Sequence, residues 1–218
     1  MIRIGALLIC ALLGLSVSGQ EANAQVSPAV APWVFEIKGG KIEPDLDLYK
    51  QFYGDSSTSF FAAAFAYRPS DWYEVGGELG YMKDSGVGLL ADNMMLGGSV
   101  EYMLVPAHLY VNVFGRFSPD QWVVPYAGVG ATMAWFRQDI DSQPTRSGRA
   151  DLGYNVRAGV QVLMNRLDRT AAKRVAAGGL INTYLFLEGQ YFSTEVDGID
   201  LGGMTYMLGL RLEFDFTG

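Results

Sequence analysis

The most constraining feature of this chain is a two-residue alternation of apolar and polar side chains. It recurs in segment after segment between residues 25 and 218, with no long apolar run. A strand turns successive side chains to opposite faces, so such alternation describes a sheet with one oily face and one polar face. In 72–82, Tyr73, Val75, Gly77, Leu79 and Tyr81 alternate with Trp72, Glu74, Gly76, Glu78 and Gly80. In 108–117, Leu109, Val111, Val113, Gly115 and Phe117 alternate with His108, Tyr110, Asn112, Phe114 and Arg116. The phase reverses in 153–163, where Tyr154, Val156, Ala158, Val160 and Val162 oppose Asn155, Arg157, Gly159 and Gln161. In 203–216 the oily set is Met204, Tyr206, Leu208, Leu210, Leu212, Phe214 and Phe216; Thr205, Gly209, Arg211, Glu213 and Asp215 oppose it. Segments 33–41, 59–68, 123–136 and 182–192 alternate more weakly. In 59–68, Phe61, Ala63, Phe65 and Tyr67 oppose a face read as alanine. The set amounts to eight strands of about ten residues, the length that crosses a bilayer when tilted. The strand ending at Phe117 is expected to start near Ser99 and to project above the membrane.

Three further observations favour a membrane barrel over a soluble sandwich. The polar face carries charge and glycine, as a small lumen does. Aromatic residues gather at strand ends: Trp33, Phe35, Tyr67, Tyr73, Phe117, Trp122, Phe214 and Phe216 at one end, and Phe61, Tyr81, Trp135 and Tyr191 at the other. Connections alternate between tight turns, 69–71 and 118–121, and longer polar loops, 44–58, 83–98, 137–152 and 194–202. The expected fold is therefore all-β: an eight-stranded antiparallel up-and-down transmembrane β-barrel over 33–218. Val111 is expected to face lipid and Asn112 the lumen. One connection, 164–181, breaks the short-turn rule; it is basic, and a helix is expected from Asp168 to Ala177.

Residues 1–24 carry Arg3, an apolar run from Ile4 to about Val17, and Ala22-Asn23-Ala24 before Gln25. This is the pattern of a cleaved secretory signal, and 25–32 then forms a short N-terminal segment. The single cysteine, Cys10, lies in that leader, so the mature chain offers no thiol nucleophile and no cysteine-based metal site. A net charge of -7 argues against nucleic-acid binding.

Nine charged residues fall on the expected lumen face: Glu36, Lys38, Glu74, Glu78, Arg116, Arg157, Glu188, Arg211 and Glu213. Buried charges must pair, so a closed network of ion pairs is expected. Strand neighbourhood places Arg116 against Glu74 or Glu78, and Arg157 against Glu188. An eight-stranded bore is only wide enough for side chains.

The chain resembles the small outer-membrane β-barrel proteins of Gram-negative bacteria, of the opacity, OmpX and OmpW kind. Gly209, Leu212, Phe214 and Phe216 look like the terminal-strand signal read by the barrel-assembly machinery, although Thr217 and Gly218 follow the last aromatic. Pro125, Tyr126, Gly128 and Gly130 look like the PYxGxGxG strand of these barrels. The run Asn182-Thr183-Tyr184-Leu185-Phe186-Leu187-Glu188 is similar to a branch with no assigned activity. The resemblance implies the outer membrane, contact with its lipids, and the assembly machinery as a partner during biogenesis; a monomer is expected.

Catalytic chemistry is thin. His108 is the only histidine, expected inward near the outer rim of its strand, and no GxSxG elbow accompanies it. No enzyme activity, cofactor or metal is expected. The four long loops hold 11 acids and 5 bases, and Asp197-Gly198-Ile199-Asp200 has carboxylates spaced for weak divalent-ion contact. The expected role is structural or interactive, through the outer loops and an unidentified extracellular ligand, with the lumen plugged. The alternative is a narrow porin-like channel for small or apolar solutes.

Overall fold

The computed structural model describes residues 31–45, 56–89, 96–118, 121–141, 144–166 and 179–215. The leader, the cleavage site, the helix expected over 168–177 and Phe216 lie outside the described residues. Eleven strands follow one another: β1 (Trp33–Pro44), β2 (Thr58–Ser70), β3 (Tyr73–Leu89), β4 (Leu96–Phe114), β5 (Val123–Ile140), β6 (Arg146–Arg149), β7 (Gly153–Leu163), β8 (Leu180–Ser193), β9 (Glu195–Val196), β10 (Ile199–Asp200) and β11 (Gly203–Phe214). Eight of them, β1 to β5 with β7, β8 and β11, form the wall. Each wall strand pairs antiparallel with its neighbours, and β1 with β11 closes the ring.

The ladder fixes the stagger. From Val34, successive partners are Ala66, Gly76, Tyr110, Gly130, Asn155, Phe192 and Gly203, and the circuit returns to β1 at Pro44, ten residues on. A stagger of this kind tilts the strands and sets the bore, which side chains fill.

The wall's two faces follow the alternation. Phe61, Leu79, Leu109, Val113, Val129 and Leu187 stand exposed, while Glu74, Glu78, His108, Tyr110, Arg157 and Arg211 are buried inside. An unbroken exposed apolar belt around a closed barrel is stable in a hydrocarbon solvent. Tyr73, opposite Val113, marks one edge of the belt, and Trp135, opposite Val105, marks the other. Leu109 is midway and 71% exposed. Leu109→Arg should therefore cost about 2–4 kcal/mol, and Val111→Arg slightly less, because the penalty peaks at mid-bilayer. Unfolding midpoints in liposomes check this; an unchanged midpoint for Leu109→Arg would place the belt elsewhere. Asn112, inside the wall, is fully buried and donates to Glu74 at 2.9 Å, so it is no permissive lumen position.

Two expectations about the connections need correction. Most of 83–98 and the start of 137–152 are strand rather than loop. β3, β4 and β5 run to 17, 19 and 18 residues, so they project beyond the membrane as paired strands. His108 consequently sits at mid-depth, beside Leu109, and not near the outer rim. The reason is that β4 continues upward to Leu96.

At the other end, side-chain amides tie the connections. Gln121 accepts from Phe117 N and donates to the carbonyls of Gly115 and Val123, each at 2.7 Å. Asn165, in the short 3-10 turn Met164–Arg166, donates to Ile181 O at 2.7 Å and accepts from Thr183 N at 2.8 Å.

Candidate functional site

The interior is layered, and the layers follow from which residues share the inward phase. Nearest the loops is an apolar layer of Ile42, Phe60, Met82, Tyr102, Leu104 and Phe192, with Ala150 and Leu201 folded in from the loops. Beneath it lie two sets of charges.

The first set is at mid-depth. Glu78 Oε2 lies 2.6 Å from Lys38 Nζ and 2.7 Å from Arg157 Nη1. Lys38 also pairs with Glu188, which accepts from Tyr126 OH at 2.9 Å. The Arg157 guanidinium lies 4.0 Å from the Tyr110 ring centroid, a desolvated cation–π contact. The Gln190 amide, oriented to donate to Glu78 at 3.2 Å and accept from Arg157 at 3.0 Å, joins this set. His108 Nδ1 is 2.8 Å from Thr132 Oγ1, its Nε2 is 3.9 Å from Glu78, and its ring meets Phe192 edge-on at 5.2 Å.

The second set is nearer the short turns. Arg211 donates through Nη1 to Glu36 at 2.7 Å and to Glu74 at 3.0 Å, and through Nε to Glu213 at 3.2 Å; its Nη2 also pairs with Glu74. Arg68 grips Glu213 with both terminal nitrogens, at 2.5 and 3.0 Å. Asn182 donates to the same carboxylate at 3.0 Å. A fork-on-carboxylate arrangement of this kind fixes geometry as well as charge.

Each set is neutral. Lys38 and Arg157 balance Glu78 and Glu188; Arg68, Arg116 and Arg211 balance Glu36, Glu74 and Glu213. All nine charges expected in the lumen from sequence point inward, and the structure groups them as follows. Arg116 does not meet Glu74 or Glu78. It lies 3.8 Å from Glu213 and 3.4 Å from Tyr184 OH, with its side chain 21% exposed. The reason is register: Glu74 faces Asn112 on β4, and Arg116 follows the end of that strand. Arg157 is 4.0 Å from Glu188 but closer to Glu78, which it reaches across the bore rather than along the ladder. Arg68 was not singled out from sequence. It continues the inward phase of Ala62, Ala64 and Ala66, and that parity was the available signal.

The remaining sequence motifs have positions too. Gly128 and Gly130 are inward; a Cβ at Gly128 would stand 2.0 Å from the Asn112 amide oxygen, so glycine makes the room that Asn112 occupies. Gly209, Leu212 and Phe214 lie on β11. Asp197 and Gly198 take positive φ at the tip of the β9–β10 hairpin, the turn that Asp-Gly favours. Asp200 accepts from Ser193 Oγ, Thr194 N and Gly202 N at 2.7, 3.1 and 2.7 Å, which commits its carboxylate to holding the loop.

No protein-family model matches the chain. No curated protein matches it either. Solved structures do. The outer membrane protein OprG from Pseudomonas aeruginosa aligns with TM-score 0.54 and 15% identity, over 85% of this chain and 97% of that one. Neisserial surface protein A (NspA) aligns with TM-score 0.53 and 14% identity, over 84% of this chain and 97% of that one. The fold is that of the small outer-membrane β-barrels. At these identities the likeness carries the architecture, and the lumen must be read from its own residues.

Proposed function

We propose that this chain is an integral outer-membrane protein with a closed, electrically silent barrel, acting through its wall and its loop end rather than as a pore. The observation that carries the reading is the stacking of an apolar layer on two neutral ion-pair sets. An ion entering from the loop side meets Phe60, Met82 and Phe192, which offer it no ligands. Beyond them, every lumen carboxylate already has a cationic partner. The long, projecting β3, β4 and β5 and the loops near them are the surface left for an extracellular ligand. The terminal strand would be the element the barrel-assembly machinery reads, through Gly209, Leu212, Phe214 and Phe216, and the barrel would work as a monomer. His108 serves the interior in this reading, since the apolar layer separates it from the loop end.

Planar-bilayer recording of the refolded barrel tests it. The expected result is no steady single-channel current in wild type. A steady, ion-selective current would instead establish the narrow-channel alternative.

A further inference from the structure

His108, the only histidine of the chain, is 1% exposed, and its Nε2 has no hydrogen-bond partner among the described residues. Its other nitrogen ends a relay that starts at the mid-depth charges. Arg157, held by Glu78 at 2.7 Å, donates through Nη2 to Asn155 Oδ1 at 3.3 Å, which orients that amide. Asn155 Nδ2 then donates to Thr132 Oγ1 at 3.1 Å, and Thr132 Oγ1 stands 2.8 Å from His108 Nδ1. Thr132 thus receives one hydrogen and has its own to give, and Nδ1 is the acceptor beside it. The ring hydrogen belongs on Nε2, because a bare Nε2 would turn its lone pair towards the Glu78 carboxylate, 3.9 Å away.

This arrangement suits a neutral imidazole and has no place for a second proton. A proton on Nδ1 would point at Thr132, whose own hydrogen must then leave the only acceptor the relay gives it. Charge does not welcome it either. The charged side chains facing the ring are Lys38 on β1, Glu78 on β3, Arg157 on β7 and Glu188 on β8, and they sum to zero. Tyr110 is the next inward residue on β4 itself; β2 contributes Ala62 and Ala64, and β11 contributes Thr205 and Met207. An imidazolium would therefore leave the set with one positive charge in excess. Glu78 is the carboxylate near the ring, and Lys38 and Arg157 already hold its other oxygen at 2.6 and 2.7 Å.

The apolar layer lies directly above. Phe192 belongs to it and meets the His108 ring edge-on at 5.2 Å. A buried charge without a partner is costly, so water or an anion must come to it, and Phe192 stands on the way from the loop end.

We propose that His108 is an acid trigger: a proton on Nδ1 undoes the Thr132 relay, displaces Phe192 and opens the barrel to ions from its loop end. The proposal rests on the closed-barrel reading above. Imidazole is the side chain suited to the task, since its ordinary titration falls near neutral pH.

Two measurements on the refolded mature barrel, carrying no histidine tag, test it together. Planar-bilayer recording follows open time as the loop-side solution is taken from about pH 7 to about pH 4. Nitrogen NMR of barrel labelled only in histidine follows His108 over the same range, because there is no other histidine to confuse it. The barrel should be silent near neutrality, with the ring hydrogen on Nε2. Open time should then rise by about tenfold per pH unit before levelling, the slope of a single proton, and the imidazolium signal should grow in step. His108→Gln, which keeps a polar amide but takes no proton, should stay silent throughout. Opening without imidazolium, imidazolium without opening, a neutral ring over the whole range, a steeper slope, or acid opening in His108→Gln each overturns the trigger. Should that variant fail to fold, the two wild-type measurements decide alone. Steady current near neutrality overturns the closed-barrel reading instead.

Discussion

Arg211→Met should destabilise the barrel by about 3–5 kcal/mol, the cost of leaving buried charges without their partner. Arg211 is 1% exposed and holds Glu36, Glu74 and Glu213 at once. Methionine keeps much of the length and removes the charge, so three carboxylates then share Arg68 and Arg116. Adding Glu36→Gln and Glu74→Gln to the same chain should restore part of the loss, because neutral amides are cheaper to bury than unpaired carboxylates. Arg116→Ala should cost about 1 kcal/mol or less, since its pair is long and partly solvated. Denaturant midpoints in detergent micelles or liposomes rank the three variants. Equal midpoints for Arg211→Met and Arg116→Ala would mean that the lumen is wetter than its packing implies.

The partners behind that ranking differ from those strand order suggests, and the difference has a physical source. Parity along a strand says which side of the wall a residue takes, and it does so with no knowledge of the fold. It puts Glu36, Glu78, Arg157 and Arg211 on the polar face, and all four side chains are buried. Parity says nothing about depth, and pairing inside a closed bore is decided by depth. Lys38 on β1 meets Glu78 on β3 and Glu188 on β8 because the staggered ladder lifts those positions to one level. Strand order alone matches Arg116 with Glu74 or Glu78. Its true neighbours, Glu213 and Tyr184, belong to β11 and β8.

The apolar layer was hidden for a related reason. Phe60, Met82, Leu104 and Phe192 share the inward phase with the charges, but near the loops both phases are apolar. Phe60 beside Phe61 and Phe192 beside Tyr191 blur the alternation, which is why 59–68 and 182–192 read as weak strands. Weak alternation there marks a dry interior rather than a poor strand. Polar residues such as Lys83 and Asp84 hide the extension of β3, because they suit a loop and also suit a sheet with water on both faces.

Glycine positions separate in the same way, and they carry the last prediction. Gly77 faces outward, where a Cβ would meet Leu109 and the His108 carbonyl only at ordinary contact distance, 3.7 and 3.8 Å, but Gly130 faces inward against a neighbouring backbone. A Cβ at Gly130 would lie 2.0 Å from the carbonyl oxygen of Leu109 and 2.9 Å from the Asn155 amide nitrogen. A carbonyl held in the β4–β5 ladder cannot swing away as a side-chain tip can, so the ladder itself must part. Asn155 would also be pushed from Thr132, to which it donates at 3.1 Å, and Thr132 positions His108. Gly130→Val should therefore cost about 3 kcal/mol or more, at the upper end of what overpacking does. Gly77→Leu, a larger addition, should cost far less. Heat-modifiable gel migration after refolding, with the unfolding midpoint of whatever fraction folds, compares them directly. A Gly130→Val barrel as stable as Gly77→Leu would show that β4 and β5 can separate at this level without loss, and that the close approach there is not what holds the ring in register.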